Sequence, residues 1–116
     1  MAQAYAPPIW EEVGEIRDLM DWMMLASPKF LDRTGFFPGR NIDTVFYELD
    51  HILQATRAKL GENLYRALID LSRQMRAYLE ADPERQTDSY RKGQDILQIM
   101  WDLLDANMRQ QRSRRL

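Results

Sequence analysis

A chain of 116 residues with 45% hydrophobic content is sized for one domain, and a second separate core would be hard to fill. The absence of cysteine excludes a disulfide framework, a thiolate metal cluster and a cysteine nucleophile. A net charge of −2 by itself favours neither nucleic acid nor a membrane surface.

The opening "MAQAYAPPIWEE" has neither the basic n-region nor the apolar h-region of a secretory signal. The longest wholly apolar run, "WMMLA", is far below the roughly 20 residues of a membrane span. A soluble, cytoplasmic protein is the expectation.

Four segments carry helical periodicity and none alternates as a strand would. The first starts after Pro7 and Pro8, which suit an opening turn, and stops near Ser27-Pro28. At about 100° per residue, Ile9, Val13, Ile16, Met20 and Met23 share one stripe. The connection "SPKFLDRTGFFPGR" follows, with too many breakers for a long regular element beyond one turn after Ser27.

Asn41 is a suitable N-cap for the second helix, with Asp43 in its first turn. Ile42, Val45, Phe46, Leu49, Ile52, Leu53, Thr56 and Leu60 then share a face, and Gly61 marks the C-terminal end. The third helix spans about Glu62 to Ala81, with Leu64, Leu68, Leu71, Met75 and Tyr78 inward. Pro83 forces Asp82 out of helical geometry. The fourth helix begins near Thr87 or Asp88 and buries Ile96, Leu97, Met100, Leu103 and Leu104.

The expected fold is therefore all-α: a single-domain antiparallel four-helix bundle over 1–116, with a Phe-Pro-Gly loop between helices 1 and 2. A short arm (1–7) and a basic tail (about 109–116) flank it. The tail holds four arginines and no acid, which also suits a helix C-terminus.

Chemistry is sparse. Glu48 and His51 have the Glu-x-x-His spacing of di-metal helix bundles, but a second such motif is required. His51 is the only histidine. Their helical phase opposes Phe46, Leu49 and Leu53, so both are expected to face outward. No Walker loop, dinucleotide glycine fingerprint, His-Glu-x-x-His or zinc spacing is present. No catalytic residue, metal site or cofactor is assigned.

Two helix faces are candidate contact surfaces. On the first helix Glu11, Glu15, Asp18 and Trp22 advance by four, three and four residues along one side, flanked by Glu12 and Asp21. The plainer reading is a solvated acidic face with Trp22 tucked under a loop. The sharper one is an acidic strip with an aromatic anchor that docks a basic protein. On the second helix Tyr47, Asp50, His51 and Gln54 share the outer side, with Tyr47 and His51 one turn apart. Phe36 and Phe37 either cap the end of the bundle or add to such a patch.

The runs "FFPGRNIDTVFYELDHIL" and "LEADPERQTDSYRKGQDILQIMWDLL" make the chain resemble the small all-helical immunity proteins of bacterial polymorphic-toxin systems. The likeness is one of general style over most of the chain. It implies neutralisation of a cognate toxin by tight binding, in interbacterial secretion settings, and assigns no residue.

The leading expectation is thus a toxin-binding immunity protein using Glu11, Glu15, Asp18, Trp22, Tyr47, Asp50 and His51. One rival is a self-associating adaptor bundle using the off-phase residues Ile69 and Ile99. Another is nucleic-acid binding through Arg66, Arg73 and the tail. An enzyme ranks last.

Overall fold

The computed structural model of the chain describes residues 12–31 and 39–114. The expectations for the arm 1–7, Ile9, Glu11, the loop with Phe36 and Phe37, and Arg115 lie outside these residues. Among the described residues there are five helices: α1 (Val13–Ala26), α2 (Ile42–Ala55), α3 (Arg57–Leu60), α4 (Glu62–Glu80) and α5 (Asp88–Arg114). There is no strand among the described residues, so the all-α class holds.

The count of four does not, because the second segment breaks at Thr56. Its buried hydroxyl donates to the Ile52 carbonyl at 2.7 Å, a back-bond that bends helices. The amides of Lys59 and Leu60 both turn to the Thr56 carbonyl. Gly61 then ends α3 at φ 86°, a conformation a side chain would disfavour.

Local chemistry sets the other boundaries. The Asn41 side chain accepts from the Thr44 amide at 3.0 Å while Thr44 Oγ1 accepts from the Asn41 amide at 2.8 Å, a reciprocal cap on α2. Glu15 accepts from the Glu12 amide at the start of α1. Before α5, the Asp82 carboxylate accepts from the amides of Gln86, Thr87 and Tyr90 at 2.7, 2.9 and 3.2 Å. It holds the helix N-terminus, where negative charge is favoured.

Burial would raise the Asp82 pKa, but those three amide donors together with the Thr87 hydroxyl outweigh it and hold the carboxyl below its ordinary value. A carboxyl depressed in the folded state adds stability that is fully present above its unfolded pKa of about 3.9. That stability is lost as pH falls from there through the folded value. Urea midpoints of the wild type should therefore fall more steeply below about pH 4 than those of Asp82→Asn. Parallel acid limbs would contradict this.

Each long helix packs on two others: α1 on α2 and α5, and α4 on α2 and α5. Neighbours run antiparallel. Along α1, Asp21 meets Trp101 and Arg17 meets Asp105 as α5 descends. Gln94 reaches back to the Met24 carbonyl and the Ser27 hydroxyl, and Arg85 donates to the Ser27 carbonyl at 2.8 Å. The C-terminal end of α1 is thus satisfied by Gln94 of α5 and by Arg85 of the α4–α5 turn.

The core contains Ile16, Leu19, Met20 and Met23 from α1, Val45, Leu49, Ile52 and Leu53 from α2, and Leu68, Met75 and Leu79 from α4. From α5 it takes Leu97, Met100 and Leu104. Leu64, Leu71 and Tyr78, expected inward, are partly buried against it. Leu103 was expected in the core and is exposed instead. It lies beside the Gly93–Leu97–Met100–Leu104 stripe, on the exposed side of α5. Phe30, in the turn after α1, is fully buried and meets Phe46 edge-on at 5.8 Å.

Candidate protein-binding surface

Most acids of α1 already have structural work. Glu12 pairs with Lys59 at 3.2 Å, tying the start of α1 to α3. Glu15 is half-buried and caps its own helix. Asp21 accepts from the Trp101 indole N–H at 2.9 Å, and Arg17 bridges to Asp105 at 3.0 Å. Asp18 stands apart, exposed and making no hydrogen bond or ion pair with the described residues. The acidic strip is therefore partly internal wiring.

Trp22 is half-buried at the shoulder of α1 that faces α2. The Arg40 guanidinium lies over its ring at 4.3 Å, and the Phe30 ring is 6.3 Å away. Arg40 in turn donates from Nε and Nη2 to the two carboxylate oxygens of Glu48 at 3.1 and 3.2 Å. Both side chains are buried, Glu48 to 1% residual exposure.

This corrects the outward placement of Glu48. A carboxylate at the edge of the α2 apolar face is drawn in by a guanidinium entering from the preceding segment. A fork-to-fork pair satisfies both charges where water is excluded. Glu48 is thus committed to structure and is not a partner of His51 for a metal.

His51 and Tyr47 are exposed on α2, their rings stacked 17° apart in plane at 6.1 Å between centroids. Tyr47 remains 57% exposed. Asp50 is exposed and accepts from Gln54 at 2.8 Å. Tyr47, Asp50 and His51 thus form one surface on α2, and Arg40 connects Trp22 to the buried side of the same helix. The Trp22 ring meets Phe30, whereas the Tyr47 ring meets His51.

Two residues that the periodicity did not nominate matter more than Trp22 as protruding apolar groups. Leu25 is 85% exposed and Leu31 54%. Asp18, Asp21 and Leu25 form the outward crest of α1, seven residues being two turns of helix. Leu25, Leu31, Trp22, Pro28 and Pro83 line an open groove of about 660 Å³ between the end of α1 and the α4–α5 turn. The sequence signal was present in Leu25 itself, an apolar residue on the side opposite the Val13–Ile16–Met20 stripe.

No group of three or more metal-ligating side chains occurs among the described residues. No helix of the described chain is long and apolar enough to cross a membrane. Comparison with protein-family models, curated proteins and solved structures finds no match to this chain.

Proposed function

We propose that this chain acts by binding another protein, as a cytoplasmic immunity protein that neutralises a cognate bacterial toxin through direct contact. The observation that supports it best is the α1 crest. Asp18 is exposed and makes no hydrogen bond or ion pair with the described residues, and Leu25 extends 85% exposed from the same side. An exposed charge beside an exposed large apolar residue suits recognition better than stability. The polar groups that could suggest catalysis are largely engaged elsewhere: Glu48 with Arg40, and Asp105 with Arg17 and Arg109.

The experiment is affinity capture of the tagged protein from its native cells at moderate salt. A stoichiometric protein is expected that arrests growth when expressed alone. Co-expression of the wild type should relieve the arrest. Recovery of only the bait or of nucleic acid would overturn the reading.

Self-association is a second reading, favoured by Ile99 (48% exposed) and Leu103, one turn apart on the outer side of α5. Ile69, the other residue expected to project, is partly buried against the core. Light scattering that gives twice the chain mass for the wild type and the single-chain mass for Ile99→Asp would support this alternative. The single-chain mass for both removes it.

A further inference from the structure

A second cleft opens at the other end of α1. Val13, Gly14 and Arg17 of α1, Lys59 of α3, and Met108 and Arg112 of α5 line an open space of about 450 Å³. Gly14, Asp18, Asp21 and Leu25 advance by four, three and four residues, so this cleft lies on the same outward side of α1 as the crest. One turn of helix, about 6 Å, separates Gly14 from Asp18.

Three helices each bring a cation to this space, and the carboxylates around it do not balance them. Glu12, the one acid in the lining, pairs with Lys59 at 3.2 Å. Asp105 serves two guanidinium groups, Arg17 at 3.0 Å and Arg109 at 2.9 Å. Arg112 is exposed and makes no hydrogen bond or ion pair with the described residues. The floor between these charges is apolar, with Val13 buried and Met108 partly buried. Gly14 keeps it open: a Cβ there would already touch Met108 Cε at 3.7 Å, and a longer side chain would crowd the space. An apolar floor rimmed by surplus cations complements a carboxylate with an apolar neighbour. No aromatic side chain of the described residues lines the cleft, so nucleic-acid bases would have nothing to stack on.

We infer that this cleft receives an acidic segment of the partner protein, with an Asp or Glu carboxylate against Arg112, Arg17 and Lys59 and an adjacent apolar side chain over Val13 and Met108. The inference rests on the protein-binding reading. It extends that surface one turn beyond Asp18, to a point where the charge presented by the partner changes sign.

Three synthetic peptides titrated into the full chain, followed by peptide anisotropy, test it. One combines Glu and Leu, the second replaces Glu by Gln, and the third replaces Leu by Ser. The first should bind at least about 10-fold more tightly than either other. Arg112→Glu should weaken it by a similar factor with thermal stability unchanged, since the position is exposed. Arg73→Glu makes the same change of charge at an exposed position of α4 and should leave peptide binding within about twofold of wild type.

Absence of binding up to about 1 mM, or equal binding by the Gln peptide, overturns the cleft assignment. So does an equal loss in Arg73→Glu and Arg112→Glu, since overall charge and not the cleft then attracts the peptide. Equal or tighter binding of a uridine oligonucleotide overturns it in favour of phosphate recognition. With the captured partner, wild-type affinity in Arg112→Glu and lost affinity in Leu25→Asp would also overturn it, while leaving the protein-binding reading in place on the α1 crest.

Discussion

Glu48→Ala should lower the unfolding free energy by about 3–5 kcal/mol, the cost of removing one member of a buried ion pair. The substitution leaves the Arg40 guanidinium buried without the carboxylate that accepts both its Nε and Nη2 bonds. Its stacking on Trp22 persists, and a ring quadrupole offsets only part of the loss of a charged hydrogen-bond acceptor. Against a typical total of about 5–15 kcal/mol, such a loss would leave some of the population unfolded at ambient temperature.

The paired replacement Arg40→Met with Glu48→Leu separates the cost of breaking the pair from the worth of the pair. Well-packed apolar substitutes for a buried pair are often neutral, so the double variant should recover most of the loss. Urea denaturation of the two single variants and the double gives the coupling directly. A Glu48→Ala midpoint equal to wild type would show that the pair is not buried in solution.

Gly93→Val should destabilise by about 3 kcal/mol, although helix propensity alone predicts a gain over glycine. A Cβ at this position would sit 2.7 Å from Leu79 Cδ2 and 2.8 Å from its Cγ. Leu79 is itself buried and cannot swing into solvent, so α4 and α5 would have to separate. Gly93→Ala is the discriminating control. An exposed helical glycine gains roughly 1 kcal/mol on becoming alanine, whereas here the clash should cancel or reverse that gain. Combining Gly93→Ala with Leu79→Ala should cost less than the sum of the two, because the second substitution opens the space the first one needs. Additive losses would mean the helices are not in this close contact.

These two sites show where sequence reasoning stops. Asn41, Gly61 and the Asp82-Pro83 turn were legible because caps and breakers act within a few residues of themselves. The α1 stripe was legible from Val13 to Met23 because a helix buries one side at a fixed period. Gly93 reads in sequence as a weak point in a helix, and only the close approach of α4 explains it. Glu48 was misplaced because its helical phase lies at the edge of the apolar face, and its partner comes from eight residues upstream outside α2. Leu103 has an apolar side chain at helical spacing, but burial also requires a neighbour on that side.

The candidate surface was legible in part for the same reason. Glu12, Arg17 and Asp21 look like one solvated charge pattern in sequence. Their partners Lys59, Asp105 and Trp101 lie 47, 88 and 80 residues away, and only the packing of α1 against α3 and α5 brings them together. What remains is a shorter surface than the full acidic strip, centred on Asp18 and Leu25. Trp22 becomes a supporting wall, fixed by residues from the turn and from the segment before α2.

The decisive measurement is isothermal titration of the captured partner with wild type and with the Asp18→Lys, Leu25→Asp double variant. Recognition through the α1 crest requires at least about 2 kcal/mol of lost affinity, near 30-fold in Kd, from a variant that unfolds at the wild-type midpoint. Unchanged affinity in that folded variant would contradict it and move the contact surface elsewhere on the molecule.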